Sequence, residues 1–286
     1  DGNRPLERAF RIRGAEPQDC ACRYPLMPEL PENEAQRLTI ERECLNRTIE
    51  KVELGNDTNY IELPGDNERQ RLVGHQFTQT RRHGKNIFAG SKTGPWMTVH
   101  LGMTGWLIPF DAPDDPPDHT KLLITFEGDR RLAFRCPRKL GHVRIIDDPD
   151  GYIENEGLGP DALDLARDGF IATFGNTRSA IKSALMKQDK MAGVGNLWSD
   201  ESLFQAGLHP ERRANELSED CLADLRTTMR RVLRQGVKVE ANYKELPRDY
   251  LIRHREKGAE CRRCGGEITS AKVGGRTAYF CSSHQK

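Results

Sequence analysis

Apolar and polar positions follow two rhythms along this 286-residue chain. After Pro31, Leu38, Leu45, Ile49 and Val52 recur at roughly helical spacing, behind acidic positions that suit the positive end of a helix dipole. Pro31 itself fits a first helical turn. From about Lys51 to Ile146 the pattern shortens to strands, among them Trp96–Leu101, Lys121–Phe126 and Arg130–Phe134, parted by Gly, Pro and Asp. The turn-dense stretch Asp111–Asp118 reads as a surface loop. Beyond Gly159 helical spacing returns in Ser179–Lys187 and Asn196–Ala206, and Ser218 caps a further helix with an apolar face of Leu222, Leu225, Val232 and Leu233. From Glu260 onward, short strand-like pieces surround cysteines. The pattern predicts a sandwich or barrel with a helix packed on it, then a helical lobe, then a small metal-bound tail. Residues 1–26 are rich in Arg, Pro and Gly without a clear period, and are expected to be disordered or translated from upstream of the true start.

Composition narrows the class. The chain is 36% hydrophobic and 30% charged, with 44 Lys and Arg against 43 Asp and Glu, a net charge of +1. That suits one large or two medium globular domains. No apolar run approaches the roughly 20 residues that span a bilayer, and residues 1–26 lack a secretory apolar core. An intracellular protein of the cytoplasm or nucleoid, a monomer without membrane contact, is expected. Arg230–Lys286 holds 14 Lys and Arg against 6 Asp and Glu, a local basic character suited to phosphates. Of the eight cysteines, Cys44, Cys136 and Cys221 are isolated and Cys20 and Cys22 sit near the start, whereas Cys261, Cys264 and Cys281 cluster. In a chain of this kind the cluster reads as metal ligands rather than disulfides.

Spacing gives the strongest chemical signal there. Cys261-x2-Cys264 and Cys281-x2-His284 stand 16 residues apart, so two knuckles would place three thiolates and an imidazole around one structural Zn2+. Between them, Val273-Gly274-Gly275-Arg276-Thr277 suits a hairpin tip that presents Arg276. Gly193-Val194-Gly195-Asn196, between two helices, suits close backbone approach and an anion such as phosphate at a helix N-terminus, although a plain helix–helix turn would use the same residues. Arg81-Arg82-His83-Gly84-Lys85 reads as a basic hairpin, and His100-Leu101-Gly102-Met103-Thr104-Gly105 as a loop presenting Met103. Met27-Pro28-Glu29-Leu30-Pro31-Glu32 would expose a secondary amine beside a carboxylate if the chain began at Pro28. An α-amine has a pKa of about 7.7–8.0 against about 10.4 for lysine, so far more of it is free base at neutral pH.

In their order and spacing these motifs resemble the formamidopyrimidine-DNA glycosylase/endonuclease VIII family of base-excision repair enzymes, over Met27 to Lys286. The leucine of Pro28-Glu29-Leu30-Pro31-Glu32 is similar to the formamidopyrimidine branch. The resemblance implies an α+β multidomain fold: residues 28–150 an N-terminal helix plus β-sandwich catalytic domain, 158–240 a helix–two-turn–helix DNA-binding domain and 251–286 a zinc finger, with 1–27 an extension. It implies removal of oxidised purines from damaged double-stranded DNA and β,δ-elimination at the abasic site through a Pro28 Schiff base. Pro28 would be the nucleophile and Glu29 the general acid at the sugar. Lys85 would assist proton transfer, and Arg276 would grip phosphate and aid the last elimination. Met103 and Arg138 would fill the gap left by the flipped base, while Lys182 and Asn196 would contact DNA. An endonuclease VIII-like enzyme for oxidised pyrimidines and a catalytically silent damage-binding protein are the alternatives. Three departures matter: Pro28 is an amide while residues 1–27 are attached, His284 replaces a usual cysteine, and Leu140 replaces a usual phenylalanine. In addition, Gly236–Lys257 is short for the segment that caps 8-oxoguanine, which favours formamidopyrimidines or further-oxidised guanines.

Overall fold

The computed structural model describes residues 27–286, so the expectations for residues 1–26, including Cys20 and Cys22, lie outside the described residues. The chain forms two compact units. Pro28, 33–82 and 86–152 belong to the first, and Glu29–Glu32, His83–Lys85 and Ile153–Lys286 to the second.

The first unit begins with helix α1 (Leu30–Glu43), whose first turn counts with the second unit. Eight strands follow: β1 (Ile49–Leu54), β2 (Gln79–His83), β3 (Asn86–Gly90), β4 (Trp96–His100), β5 (Trp106–Asp111), β6 (Thr120–Phe126), β7 (Arg130–Arg135) and β8 (His142–Ile146). A short helix α2 (Asp66–Gln70) interrupts them, and α3 (Pro149–Asn155) comes after. The strands make two four-stranded sheets, ordered β1-β6-β7-β5 and β2-β3-β4-β8. Inward side chains of both sheets, among them Val52, Leu122, Leu132 and Phe134 from one and Ile87, Met97, Val99 and Val143 from the other, share one core with Ile40 of α1. This is the expected sandwich, because strands with one apolar face must bury it against a second sheet.

The predicted helical run through Val52 is corrected by the structure. Helix α1 stops at Glu43, Asn46 takes a left-handed φ of 59°, and Ile49 and Val52 lie on β1 opposite Phe126 and Ile124 of β6. A register shift between Ile49 and Lys51 explains why their three-residue spacing imitated a helix. A β-bulge inserts one residue, so positions i and i+3 face the same side. The strands around Trp96, Lys121 and Arg130 begin and end within a residue or two of expectation, and Asp111–Asp118 is mostly exposed loop.

The second unit packs α4 (Arg167–Gly175), α5 (Ile181–Leu185), α6 (Asn196–Ala206) and α7 (Glu219–Lys238) around Phe170, Phe174, Trp198, Met229 and Leu233. Helix α6 runs as predicted, ending at Gly207 with φ 71°. Ser218 caps α7, its Oγ accepting from Cys221 N at 3.2 Å. The α7 glycine, Gly236, is dictated by close approach: a Cβ there would lie 2.3 Å from the Trp198 ring. The β9 (Ile268–Val273) and β10 (Arg276–Cys281) hairpin closes the chain, and Gly274 and Gly275 supply the positive φ angles of its two-residue turn.

Glu201 fastens α6 to the segment before the hairpin. It is fully buried, and its carboxylate accepts from Ile252 N at 2.8 Å and Gln205 Nε2 at 2.9 Å. Burial pushes its pKa up to about 7, the hydrogen bonds opposing. Because the folded value exceeds the ordinary 4.5, the native state binds the extra proton, and this group's contribution to stability is lost as pH rises from about 4.5 through about 7. Glu201→Gln is expected to flatten that part of the stability-versus-pH curve, measured by urea unfolding. An unchanged slope would contradict the assignment.

Candidate functional site

Glu29 lies at the start of the second unit, 1% exposed. Its carboxylate accepts from the backbone amides of Gly195 at 2.6 Å, Leu197 at 2.7 Å and Trp198 at 3.2 Å. These amides open helix α6, whose first N–H groups have no partner within the helix and whose dipole favours negative charge. The anion expected beside Gly193-Val194-Gly195-Asn196 is therefore a side chain of this protein. Gly195 is required sterically: a Cβ there would lie 2.5 Å from Glu29 Cδ and 2.7 Å from Lys85 Nζ. Glu29 and Lys85 thus converge on one glycine. Gly193, with φ 115°, accepts from Leu30 N at 3.1 Å and leaves room for the Leu30 side chain.

Lys85 sits in the turn between β2 and β3, made possible by Gly84 at φ 57°. Gly84 N donates to Asp161 Oδ2 at 2.8 Å, and His83 Nε2 donates to Gly159 O at 2.8 Å. Burial lowers the Lys85 pKa from its ordinary value. The charges of Glu29 and Glu32 oppose that shift, and Arg276 adds to it.

Three residues join this group that the sequence reading did not single out as site residues: Glu32, Trp198 and Tyr243. Glu32 Oε2 accepts from Glu29 N at 2.8 Å, Glu32 Oε1 accepts from Trp198 Nε1 at 3.0 Å, and the Tyr243 hydroxyl donates to the same oxygen at 2.5 Å. Burial first, and the Glu29 charge second, raise the Glu32 pKa. The Glu29-x2-Glu32 spacing was a legible signal, since a glutamate at the third helical position reaches back to the cap residue's amide. Trp198 and Tyr243 carried no local signal.

The other expected residues fall in two places. In the second unit, Lys182 is fully buried. Its ammonium donates to Asp200 Oδ1, to Asn196 O at 3.1 Å and to Ser199 Oγ at 3.3 Å. Asp200 Oδ2 accepts from Arg255 Nε at 3.0 Å, Arg255 Nη2 at 2.7 Å and Tyr279 N at 3.1 Å, and Arg255 lies 4.4 Å from the Tyr279 ring centroid. This buried network ties α6, which begins at Asn196, to β10, which begins at Arg276. Arg276 is exposed at the hairpin tip, and Gly274 beside it abuts Ser183 of α5. The Asn196 Oδ1 is buried without a partner. In the first unit, Pro28 is buried, Met103 is half-buried and Arg138 is exposed. Gly102, at φ 62°, packs against the Leu140 carbonyl, and Arg138 N donates to Thr104 Oγ1 at 3.2 Å. The Met103 loop and the Arg138–Leu140 loop therefore meet, with Leu140 57% exposed.

Cys261, Cys264, Cys281 and His284 bring their ligand atoms within 4.8 Å of one another, a set that could hold a metal ion. His284 Nε2 donates to Phe204 O at 3.1 Å, leaving Nδ1 as the acceptor, 3.5 Å from Cys261 Sγ. That outer bond fixes the tautomer a metal requires. Three soft thiolates and one imidazole at this spacing fit the Cys3His donor set expected from the sequence.

Comparison with known proteins follows the same division. The family model for the formamidopyrimidine-DNA glycosylase N-terminal domain matches residues 27–143, and that for the formamidopyrimidine-DNA glycosylase H2TH domain matches 157–246. Among similar proteins, the formamidopyrimidine-DNA glycosylase of Geobacter metallireducens is 33% identical over 89% of this chain and 98% of its own. That of Pelobacter propionicus is 31% identical over 91% of this chain and all of its own. The Lactococcus lactis glycosylase, solved non-covalently bound to DNA containing an AP site, superposes with a TM-score of 0.80 at 25% identity, covering 90% of this chain and 99% of that one. MutM in complex with DNA containing carbocyclic 8-oxo-G gives 0.81 at 27% identity, covering 91% and 100%.

Asp200→Ala is expected to cost about 3–5 kcal/mol, because it leaves two buried cations, Lys182 and Arg255, without their shared anion. Urea unfolding measures this, and a loss below about 1 kcal/mol would contradict the network's role.

Proposed function

Because the chain belongs to the formamidopyrimidine-DNA glycosylase family, we propose that it excises oxidised purines from duplex DNA and cleaves the resulting abasic site through an imine on Pro28. The observation that carries this reading is the convergence at Gly195 of the Lys85 ammonium and the carboxylate of Glu29, the residue that follows Pro28.

The chemistry assigns each group a task. With Pro28 at the chain start, its secondary amine attacks the sugar C1′ as the bond to the base breaks. Opening of the ring at O4′ yields an iminium on the proline nitrogen. Glu29 manages the proton at the ring oxygen, and the half-buried Lys85 supplies one to the departing groups and holds a phosphate. The iminium acidifies the C2′ proton. Its removal expels the 3′ phosphate, and a second elimination expels the 5′ phosphate with Arg276 at hand. Asn196, donating through its side-chain NH2, and Arg276 grip the flanking phosphates. Lys182 serves from within, fixing the Asn196 backbone and Asp200. Extrusion of the base costs a few kcal/mol. Met103 and Arg138, backed by Leu140, offset part of it by entering the gap. The shortness of the Gly236–Lys257 connection favours formamidopyrimidines or further-oxidised guanines over 8-oxoguanine as substrate, and its Tyr243 is engaged with Glu32. The Cys3His set would hold one structural Zn2+ that stiffens the hairpin carrying Arg276, and metal analysis should give one zinc per chain.

A second reading has its own observation. In the chain as numbered Pro28 is acylated by Met27, and a tertiary amide has no nucleophilic lone pair. Such a chain would bind damage without excising it. Borohydride trapping on duplex DNA bearing a formamidopyrimidine separates the two. Protein starting at Pro28 is expected to form a covalent adduct, and protein retaining Met27 is expected to form none. Absence of an adduct from the Pro28 form would sink the enzymatic reading.

A further inference from the structure

Helix α7 carries two opposed stripes. Leu222, Leu225, Met229, Val232, Leu233 and Gly236 are buried. The outer stripe repeats a base at every fourth position, Arg226, Arg230, Arg234 and Lys238, with Arg231 alongside. No carboxylate occurs in the sequence from Leu225 to Val239. At 1.5 Å of rise per residue the rungs stand about 6 Å apart and extend about 18 Å. With Thr227 and Gln235 these five bases line an open groove of about 430 Å³. Gly236, on the buried side, packs on Trp198 of the Glu29 site, so the ladder looks the opposite way along the helix circumference.

The ladder is poorly compensated within the protein. Among the described residues none of its five cations forms an ion pair. Arg226 Nε donates to the Leu165 carbonyl at 2.7 Å, and the Arg230 Nε is buried without any partner. Burial first, then the charges of Arg226 and Arg234, lower the Arg230 pKa, with Asp164 opposing. Like charges at i and i+4 destabilise a helix, so an external anion would relieve the repulsion.

We propose that this outer face of α7 is a second nucleic-acid contact that takes successive backbone phosphates of duplex DNA outside the lesion site. Guanidinium forks match phosphate oxygens in charge and geometry. A rigid ladder at regular spacing suits a regular polyanion better than an acidic peptide of variable spacing. Phosphate contacts of this kind position a protein on DNA without reading sequence, and they release counterions. The face would hold the enzyme on undamaged duplex while the site searches.

The proposal rests on the nucleic-acid reading above, but its test needs no excision. Binding of the full chain to undamaged duplex is measured against salt for the wild type, Arg234→Gln, Arg230→Gln/Arg234→Gln and Arg230→Gln/Arg234→Gln/Lys238→Gln. Each removed rung is expected to shrink the slope of log K against log salt by about 0.9. In the same four proteins prepared to start at Pro28, borohydride adduct yield at saturating damaged DNA and low salt is expected to stay at the wild-type level. A slope unchanged through the triple variant would overturn the proposal. So would wild-type-strength binding of polyglutamate that the triple variant loses while DNA affinity holds, since the face would then serve an acidic protein partner. Failure of adduct formation in all four proteins would count against the glycosylase reading and leave the salt result standing.

Discussion

The structure of the site depends on one carboxylate held by one helix end. Glu29 is buried, and a buried carboxylate without partners would be costly. The cost is offset because helix α6 presents three backbone amides to it, at Gly195, Leu197 and Trp198. Both sides gain. The helix loses orphan donors and the carboxylate gains a fixed direction. Since Glu29 directly follows Pro28, the same clamp limits where the proline nitrogen can be. Lys85, Glu32 and Trp198 are then arranged around a single point, with Gly195 as the spacer that leaves room for both charges.

A second layer keeps Asn196 and Arg276 in register with that point. Asp200, one turn beyond Asn196 on α6, gathers Lys182, Arg255 and the Tyr279 amide. The result couples the helix start to the strand that begins with Arg276. A buried cation pair around one carboxylate is a poor source of net stability, but it fixes geometry, because both buried cations depend on the same carboxylate. The cysteine and histidine cluster acts on the same hairpin from its far end. His284 is oriented by the Phe204 carbonyl of α6, so one hydrogen bond joins the cluster to the helix.

Much of this was legible in the sequence because it is local. The sandwich strands, the bounds of α6, the Ser218 cap, the Gly274-Gly275 turn and the Cys261–Cys264 and Cys281–His284 pairs each rest on spacing within a few residues. The end of α1 was not legible, since a bulge in β1 gave Ile49 and Val52 a helical spacing. The occupant of the α6 N-terminus was missed for a different reason. An anion was expected, but its source lay 166 positions away at Glu29. Likewise Tyr243 meets Glu32 across 211 positions, and Lys182, expected from the resemblance as a DNA contact, is buried against Asp200 one helix away. Charge complementarity over long separations leaves no periodic trace in a single sequence.

The claim that the Glu29 clamp carries the chemistry is tested most directly at Gly195. Its backbone is extended, with φ −131°, so alanine is conformationally acceptable and only the space is lost. Gly195→Ala would press on Glu29 and Lys85 together. In protein starting at Pro28, single-turnover excision of a formamidopyrimidine is predicted to fall about 100-fold or more, as a displacement of about 1 Å can cause. Duplex affinity and zinc content are predicted to stay at wild-type levels. A Gly195→Ala variant that excises at the wild-type rate would contradict the account.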